Sequence, residues 1–270
     1  MFRVRLVLIG MVSVALLGGF LRPRLKAMSG GTYPANDSAR TPVLVELFTS
    51  EGCSDCPSAD ALLERLDRSQ PVSGAELIVL SEHVDYWNNI GWKDPYSSHE
   101  YSERQGAYAD QFGLGSVYTP QMVIDGRFEF VGSDGRRAIT TIERATKIAK
   151  IPVSISSIHL EAGNMVALRI VTGQLPSSVA TESAEVLIAT ADESDESHVS
   201  RGENAGRTLK HIAVLRSLTR VGTVDRTGEF SRDVRIHIDR GNAGSSRAIA
   251  IVQEEPAGRV LGVGWARLSN

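Results

Sequence analysis

The sequence predicts two structural parts: an α/β domain with the element order βαβαββα over residues 42–150, and an all-β, sandwich-like domain over 151–270. Three observations carry that expectation. Apolar runs and helical stretches alternate between Thr41 and Lys150, the pattern of βαβ units. Asp125-Gly126 joins two apolar segments, a hairpin signal. After Ile151-Pro152 the texture changes to seven strand candidates separated by Gly, Pro, Ser and Asn, with no helix pattern of convincing length.

Composition sets the outer bounds. A chain of 270 residues and 29.2 kDa, with 42% apolar and 23% charged residues, suits two ordinary domains. It excludes a disordered, collagenous or multi-span membrane chain. Two cysteines exclude a scaffold stapled by many disulfides. The net charge is −3, and residues 1–40 carry a surplus of five positive charges, so the remainder carries −8. An acidic body has no basic field for a phosphate backbone, so nucleic acid is not an expected partner.

Residues 1–28 read as a signal peptide or membrane anchor. Arg3 and Arg5 precede the uncharged apolar stretch 6–21, which is short for a bilayer span of roughly 20 residues. Cleavage near Ala27-Met28-Ser29 and retention as an inner-membrane anchor, suggested by Arg22, Arg24 and Lys26, both remain open. Either way the chain is expected to be exported, periplasmic or secreted. Residues 29–41 are small, polar and turn-forming, and read as a linker.

In the first domain Val43–Thr49 is a buried strand, and the stretch from Ala59 to Leu66 places Leu62, Leu63 and Leu66 on one helical face. Leu77–Val84 is the second strand, followed by an aromatic connection from Asp85 to Tyr96 and a helix from about Ser97 to Phe112. The hairpin spans residues 121–131, and Ser133 or Asp134 caps a last helix running to about Lys150. In the second domain the strand candidates begin at Val153, Met165, Glu185, Leu209, Val234, Ala248 and Val260. The acidic run Asp192–Glu196 reads as a solvated loop. The turn Arg201–Asn204 either docks the two domains or lines a substrate groove.

The chemistry concentrates at Cys53 and Cys56. A Cys-x-x-Cys opening the helix after the first strand of a βαβ unit is similar to a thioredoxin-like redox motif. Thiolate is the reacting species, and a helix N-terminus favours it, so Cys53 is expected to be the nucleophile and the more buried Cys56 the resolver. Asp55, between the sulfurs, opposes a thiolate and tilts the pair towards reductase or mildly oxidising behaviour. A plain structural disulfide is the alternative; so short a loop contributes roughly 2 kcal/mol. Zinc needs more ligands than two cysteines supply, and no metal or organic cofactor is expected.

Four segments extend the resemblance: VELFTSEGCSDCPSAD (45–60), HVDYWNNIGWKDPYSS (83–98), VYTPQMVIDG (117–126) and RGENAGRTLKH (201–211). Together they resemble the exported bacterial thioredoxin-like family described as domain of unknown function 1223. The resemblance implies a thiol–disulfide site with no settled substrate. By the same likeness Pro120 is a cis proline facing the cysteines, and the Thr119 backbone pairs with an extended substrate peptide. Tyr118 and Trp87 are the accompanying substrate-binding candidates, Trp87 belonging to an aromatic loop suited to an apolar peptide. Glu46 is the nearest counterpart of the buried acid of thioredoxins, one residue further from the cysteines; His83 and Asp85 are the other proton-transfer candidates. The expected function is an exported thiol–disulfide oxidoreductase acting on protein or peptide thiols and disulfides, with a membrane redox donor as a further candidate partner. The alternative is a non-catalytic envelope binding protein whose cysteines form a staple.

Overall fold

The computed structural model describes residues 40–238 and 245–268, so the segment 1–28 and nearly all of the linker 29–41 lie outside the described residues. The first strand, β1 (Thr41–Thr49), is buried from Val43 onward. Helix α1 (Cys56–Ser69) carries Pro57 in its first turn, where the missing N–H costs nothing, and stops at Gln70, which takes a left-handed φ of 44°. Its Ala59, Leu62, Leu63 and Leu66 pack against Val43, Val45 and Leu47. Then come β2 (Ala75–His83) and α2 (His99–Phe112), the latter capped by Ser98 and ended by Gly113.

Strands β3 (Gln121–Ile124) and β4 (Phe128–Val131) turn through Asp125 and Gly126, at φ 53° and 58°. Helix α3 (Gly135–Ala145) starts at Asp134, whose Oδ1 accepts from the Arg137 N–H at 2.9 Å. Seven strands follow: β5 (Val153–Glu161), β6 (Met165–Thr172), β7 (Ser183–His198), β8 (Thr208–Asp225), β9 (Phe230–His237), β10 (Ser246–Gln253) and β11 (Val260–Leu268).

These strands do not divide as expected. One eight-stranded mixed sheet has the order β11-β10-β7-β8-β2-β1-β3-β4, and a three-stranded sheet has the order β5-β6-β9. The expected fold class, an α/β thioredoxin-like domain followed by an all-β sandwich-like domain, is therefore corrected to a mostly β architecture with three short helices among the described residues. The join is β8, which pairs antiparallel with β7 and meets β2 in parallel at Ser81 and Val214. The cores follow the sheet. Ile212 and Ala213 of β8 complete the apolar layer beneath α1. On the other face Leu44, Ile78 and Leu80 pack with Leu187, Ile249, Ile251 and Val263.

The acidic run is likewise corrected: it lies within β7, not in a solvated loop. Asp192 and Asp195 are buried and face Arg216 at 2.5 and 3.0 Å, while Glu193 is 2.5 Å from Arg247. Neutralising partners, two of them on strands far along the chain, let the carboxylates enter the sheet.

Strand β5 crosses β11 where two glycines remove the side chains. A Cβ on Gly262 would lie 2.6 Å from the Ile151 carbonyl oxygen, and one on Gly264 2.4 Å from that of Val153. Both obstacles are backbone, so neither yields cheaply. Gly264→Ala is expected to cost about 1–3 kcal/mol, read as a lower midpoint in urea with an unchanged slope.

Candidate functional site

Cys53 and Cys56 form a disulfide with Cα atoms 5.4 Å apart. Cys56 is the first residue of α1, and Cys53 sits in the preceding turn rather than in the helix. The turn is closed by the Cys53 N–H donating to the Ser50 carbonyl (3.2 Å) and the Cys56 N–H to the Cys53 carbonyl (3.3 Å). No acidic residue occupies the first turn of α1, but Asp55 is its N-cap residue and makes no capping hydrogen bond. Both cysteines are buried, at 2% and 0% exposure.

The turn 199–207 between β7 and β8 clamps this loop. The Asn204 side-chain amide, fully buried, donates to the carbonyls of Glu51 and Cys53, each at 2.9 Å. The Ser54 N–H donates to Glu203 Oε2 at 3.1 Å. The segment read as a docking turn or groove lining thus holds the cysteine loop directly.

Behind the loop lies a buried charged cluster. Glu51 accepts from Trp92 Nε1 (2.7 Å) and from the Ser197 hydroxyl, and its Oε1 is 3.3 Å from His211 Nε2. Asp60, one turn beyond Cys56 on α1, has its Oδ1 3.8 Å from His211 Nδ1. Asp94 accepts from the Glu51 N–H at 2.8 Å and lies 2.7 Å from His83 Nδ1. The rings of His83 and His211 meet edge to face at 4.6 Å, with Tyr96 against both. Burial pushes His211 down, but the adjacent carboxylates of Asp60 and Glu51 outweigh it and bring the imidazole up to about 10. Burial raises Asp94, yet attraction and hydrogen bonding to His83, with two backbone N–H groups, hold it below the ordinary carboxylate value.

The expected site residues separate into two groups. Trp87 and Thr119 are linked by the Trp87 indole N–H donating to Thr119 Oγ1 at 2.8 Å. Gly52 packs on Trp87, where a Cβ would lie 3.0 Å from that of Trp87. The Thr119–Pro120 bond is cis, and Pro120 and Ala59 of α1 border the same point beside Gly132. His83 reaches the loop through Asp94. Cys53, Cys56, Trp87, Thr119, Pro120 and His83 are thus brought together.

Glu46, Asp85 and the Tyr118 side chain are not. Glu46 shares the face of β1 that bears Leu44 and Phe48, opposite α1. There it accepts from Arg104 at 2.9 and 2.5 Å and from the Tyr108 hydroxyl at 2.7 Å. Asp85 accepts from Ser102 at 2.6 Å, and the Tyr118 hydroxyl donates to Glu129 at 2.6 Å. Glu51, Asp60 and Asp94 drew no role from the sequence, although Glu51 and Asp60 stand within four residues of a cysteine. Among the described residues no group of three or more His, Cys, Asp or Glu side chains could hold a metal ion, and no helix is long and apolar enough to cross a membrane.

Comparison with known proteins places the chain in a family and identifies structures of the same fold. The family described as "Protein of unknown function (DUF1223)" matches residues 44–253. A crystal structure of a protein from Agrobacterium tumefaciens is 26% identical, with a TM-score of 0.63 over 87% of this chain and 96% of that one. HBP35 of Porphyromonas gingivalis shares the fold at 12% identity, with a TM-score of 0.60 over 86% of this chain and 76% of that one. No curated protein gives a significant match.

Proposed function

The chain belongs to the DUF1223 family, and from that premise we propose that it is an exported thiol–disulfide oxidoreductase acting on protein or peptide thiols through Cys53 and Cys56. The observation that carries this reading is the convergence of ionisable groups on a four-residue disulfide loop. Glu51, Asp60, His83, Asp94 and His211 surround the loop, all at 7% exposure or less. A staple needs none of them, and burying charge is costly unless it is used or fully paired. A disulfide is also at home in an oxidising, exported compartment. Trp87 packs on Gly52 beside the loop and holds Thr119, which precedes the cis Pro120, so these residues are candidates to receive a substrate segment.

In the forward direction a substrate thiolate attacks the Cys53 sulfur, the Cys53–Cys56 bond breaks, and its electron pair passes to Cys56. A second substrate thiol then releases Cys53 and leaves the substrate as a disulfide. The chemistry needs no metal or organic cofactor.

One observation favours a second reading, a non-catalytic envelope binding protein with a structural disulfide: the sulfurs are nearly sealed from solvent. One pair of measurements separates the two. Cys56→Ala is expected to trap a mixed disulfide between Cys53 and an envelope protein, and the pair should show a potential in the exchangeable range. No trapped partner, together with a potential well below about −300 mV, would leave only the staple.

A further inference from the structure

Resting on that reading, the geometry points to Asp60 and His211 as a proton-transfer pair that serves the buried sulfur of Cys56. Breaking the disulfide leaves a thiolate on Cys56, which is fully buried and cannot draw a proton directly from water. Asp60 is four residues on in α1, so its Cβ is a neighbour of that of Cys56 at roughly 5–6 Å. Helical side chains lean towards the N-terminus, which carries the Asp60 carboxyl back over the Cys56 turn.

Two atoms of this pair have no hydrogen-bond partner although both are buried: Asp60 Oδ1 and His211 Nδ1. They face each other at 3.8 Å, close enough for a small shift or one water to connect them. The opposite ring nitrogen of His211 is held by Glu51 at 3.3 Å, which leaves Nδ1 directed at Asp60. His211 in turn borders a polar cavity of about 460 Å³ lined by Glu64, Arg68, Asp195, Glu196 and Lys210, through which a proton can be exchanged with solvent. The charged and titratable groups around His211 are Glu51, Asp60 on α1, His83 on β2, Tyr96 and Asp195 on β7.

The step balances as follows. A substrate thiolate bonds to Cys53, the electron pair of the broken bond goes to Cys56, and the His211 Nδ1 proton passes through the Asp60 carboxylate to that sulfur. Solvent in the cavity then returns a proton to His211. In the opposite direction Asp60 takes the Cys56 proton as the sulfur attacks.

The test is the rate of disulfide reduction by dithiothreitol in the full chain, divided by the thiolate fraction of the reductant, from pH 6 to 10.5. With His211 charged up to about 10, the normalised wild-type rate should stay level and fall only towards the top of that range. Asp60→Asn and His211→Gln should each be tenfold or more slower at neutral pH and should lose the fall at high pH; Asp60→Glu should keep it. Folded variants that match the wild-type rate throughout would overturn the pair. If the variants do not fold, a wild-type profile without the decline does so alone. A disulfide that dithiothreitol does not reduce at all would instead remove the oxidoreductase reading.

Discussion

Arg104→Leu is expected to lower the unfolding free energy by about 3–5 kcal/mol, the cost of leaving buried charge without its partner. Arg104 reaches from α2 to Glu46 on β1, at 2.5 Å, and to Glu82 on β2, at 3.5 Å; both acids are fully buried. It also donates to the Tyr108 hydroxyl at 3.1 Å and to Gln253 on β10 at 3.0 Å. One guanidinium therefore hydrogen-bonds groups on three elements and supplies the countercharge for Glu82, whose buried oxygens have no hydrogen-bond partner, whereas Leu does neither.

The loss should depend on pH in a definite direction. Burial, then repulsion by Glu46, raises Glu82 well above the ordinary carboxylate value despite the attraction of Arg104. A carboxyl raised in the folded state binds more protons there, so its contribution is present below the unfolded value near 4.5 and is lost as pH rises through the folded one. Without Arg104 both acids must be buried as anions at neutral pH or take up protons. The deficit of Arg104→Leu is thus expected to be largest at pH 8 and to shrink towards pH 4, measured by urea unfolding across that range. A penalty independent of pH would mean that packing, not charge, is what Arg104 supplies.

The contrast between Glu46 and Asp60 shows what could be read from the chain. The likeness to thioredoxins favoured Glu46 as the acid beside the cysteines, but strand alternation decides otherwise. Val43, Val45 and Leu47 face α1, so Glu46 cannot. Helical periodicity carried the opposite signal, since a residue four beyond Cys56 shares its face. The local elements were legible for the same reason: the Val43–Thr49 run, the Leu62-Leu63-Leu66 stripe and the Asp125-Gly126 turn each encode their conformation within a few residues.

The architecture was not legible that way. Whether β8 pairs only with β7 or also meets β2 depends on Ser81 and Val214, 133 positions apart, and no periodic pattern reports such a pairing. The Asp192–Glu196 run looked solvated because Arg216 and Arg247, which neutralise it, lie 21 to 54 residues away in the chain.

His211 is where fold and site meet, and its removal carries the second large expected effect. The imidazole is 2% exposed and stands between Glu51 and Asp60. Replacing it with Leu strands two buried carboxylates beside the disulfide, at a cost of about 3–5 kcal/mol. The sign of the pH dependence follows from a folded value of about 10 against 6.5 for the free side chain. The folded state holds the proton that the unfolded state has released. Stability from this group is therefore complete below pH 6.5 and is lost as pH rises through about 10, at a slope of about 1.4 kcal/mol per pH unit. His211→Leu should abolish that slope. Thermal or urea unfolding of the oxidised protein between pH 6 and 10 reads it directly. An unchanged slope in the variant would mean that His211 is neutral in the folded protein, and a neutral ring cannot hand a proton to Asp60.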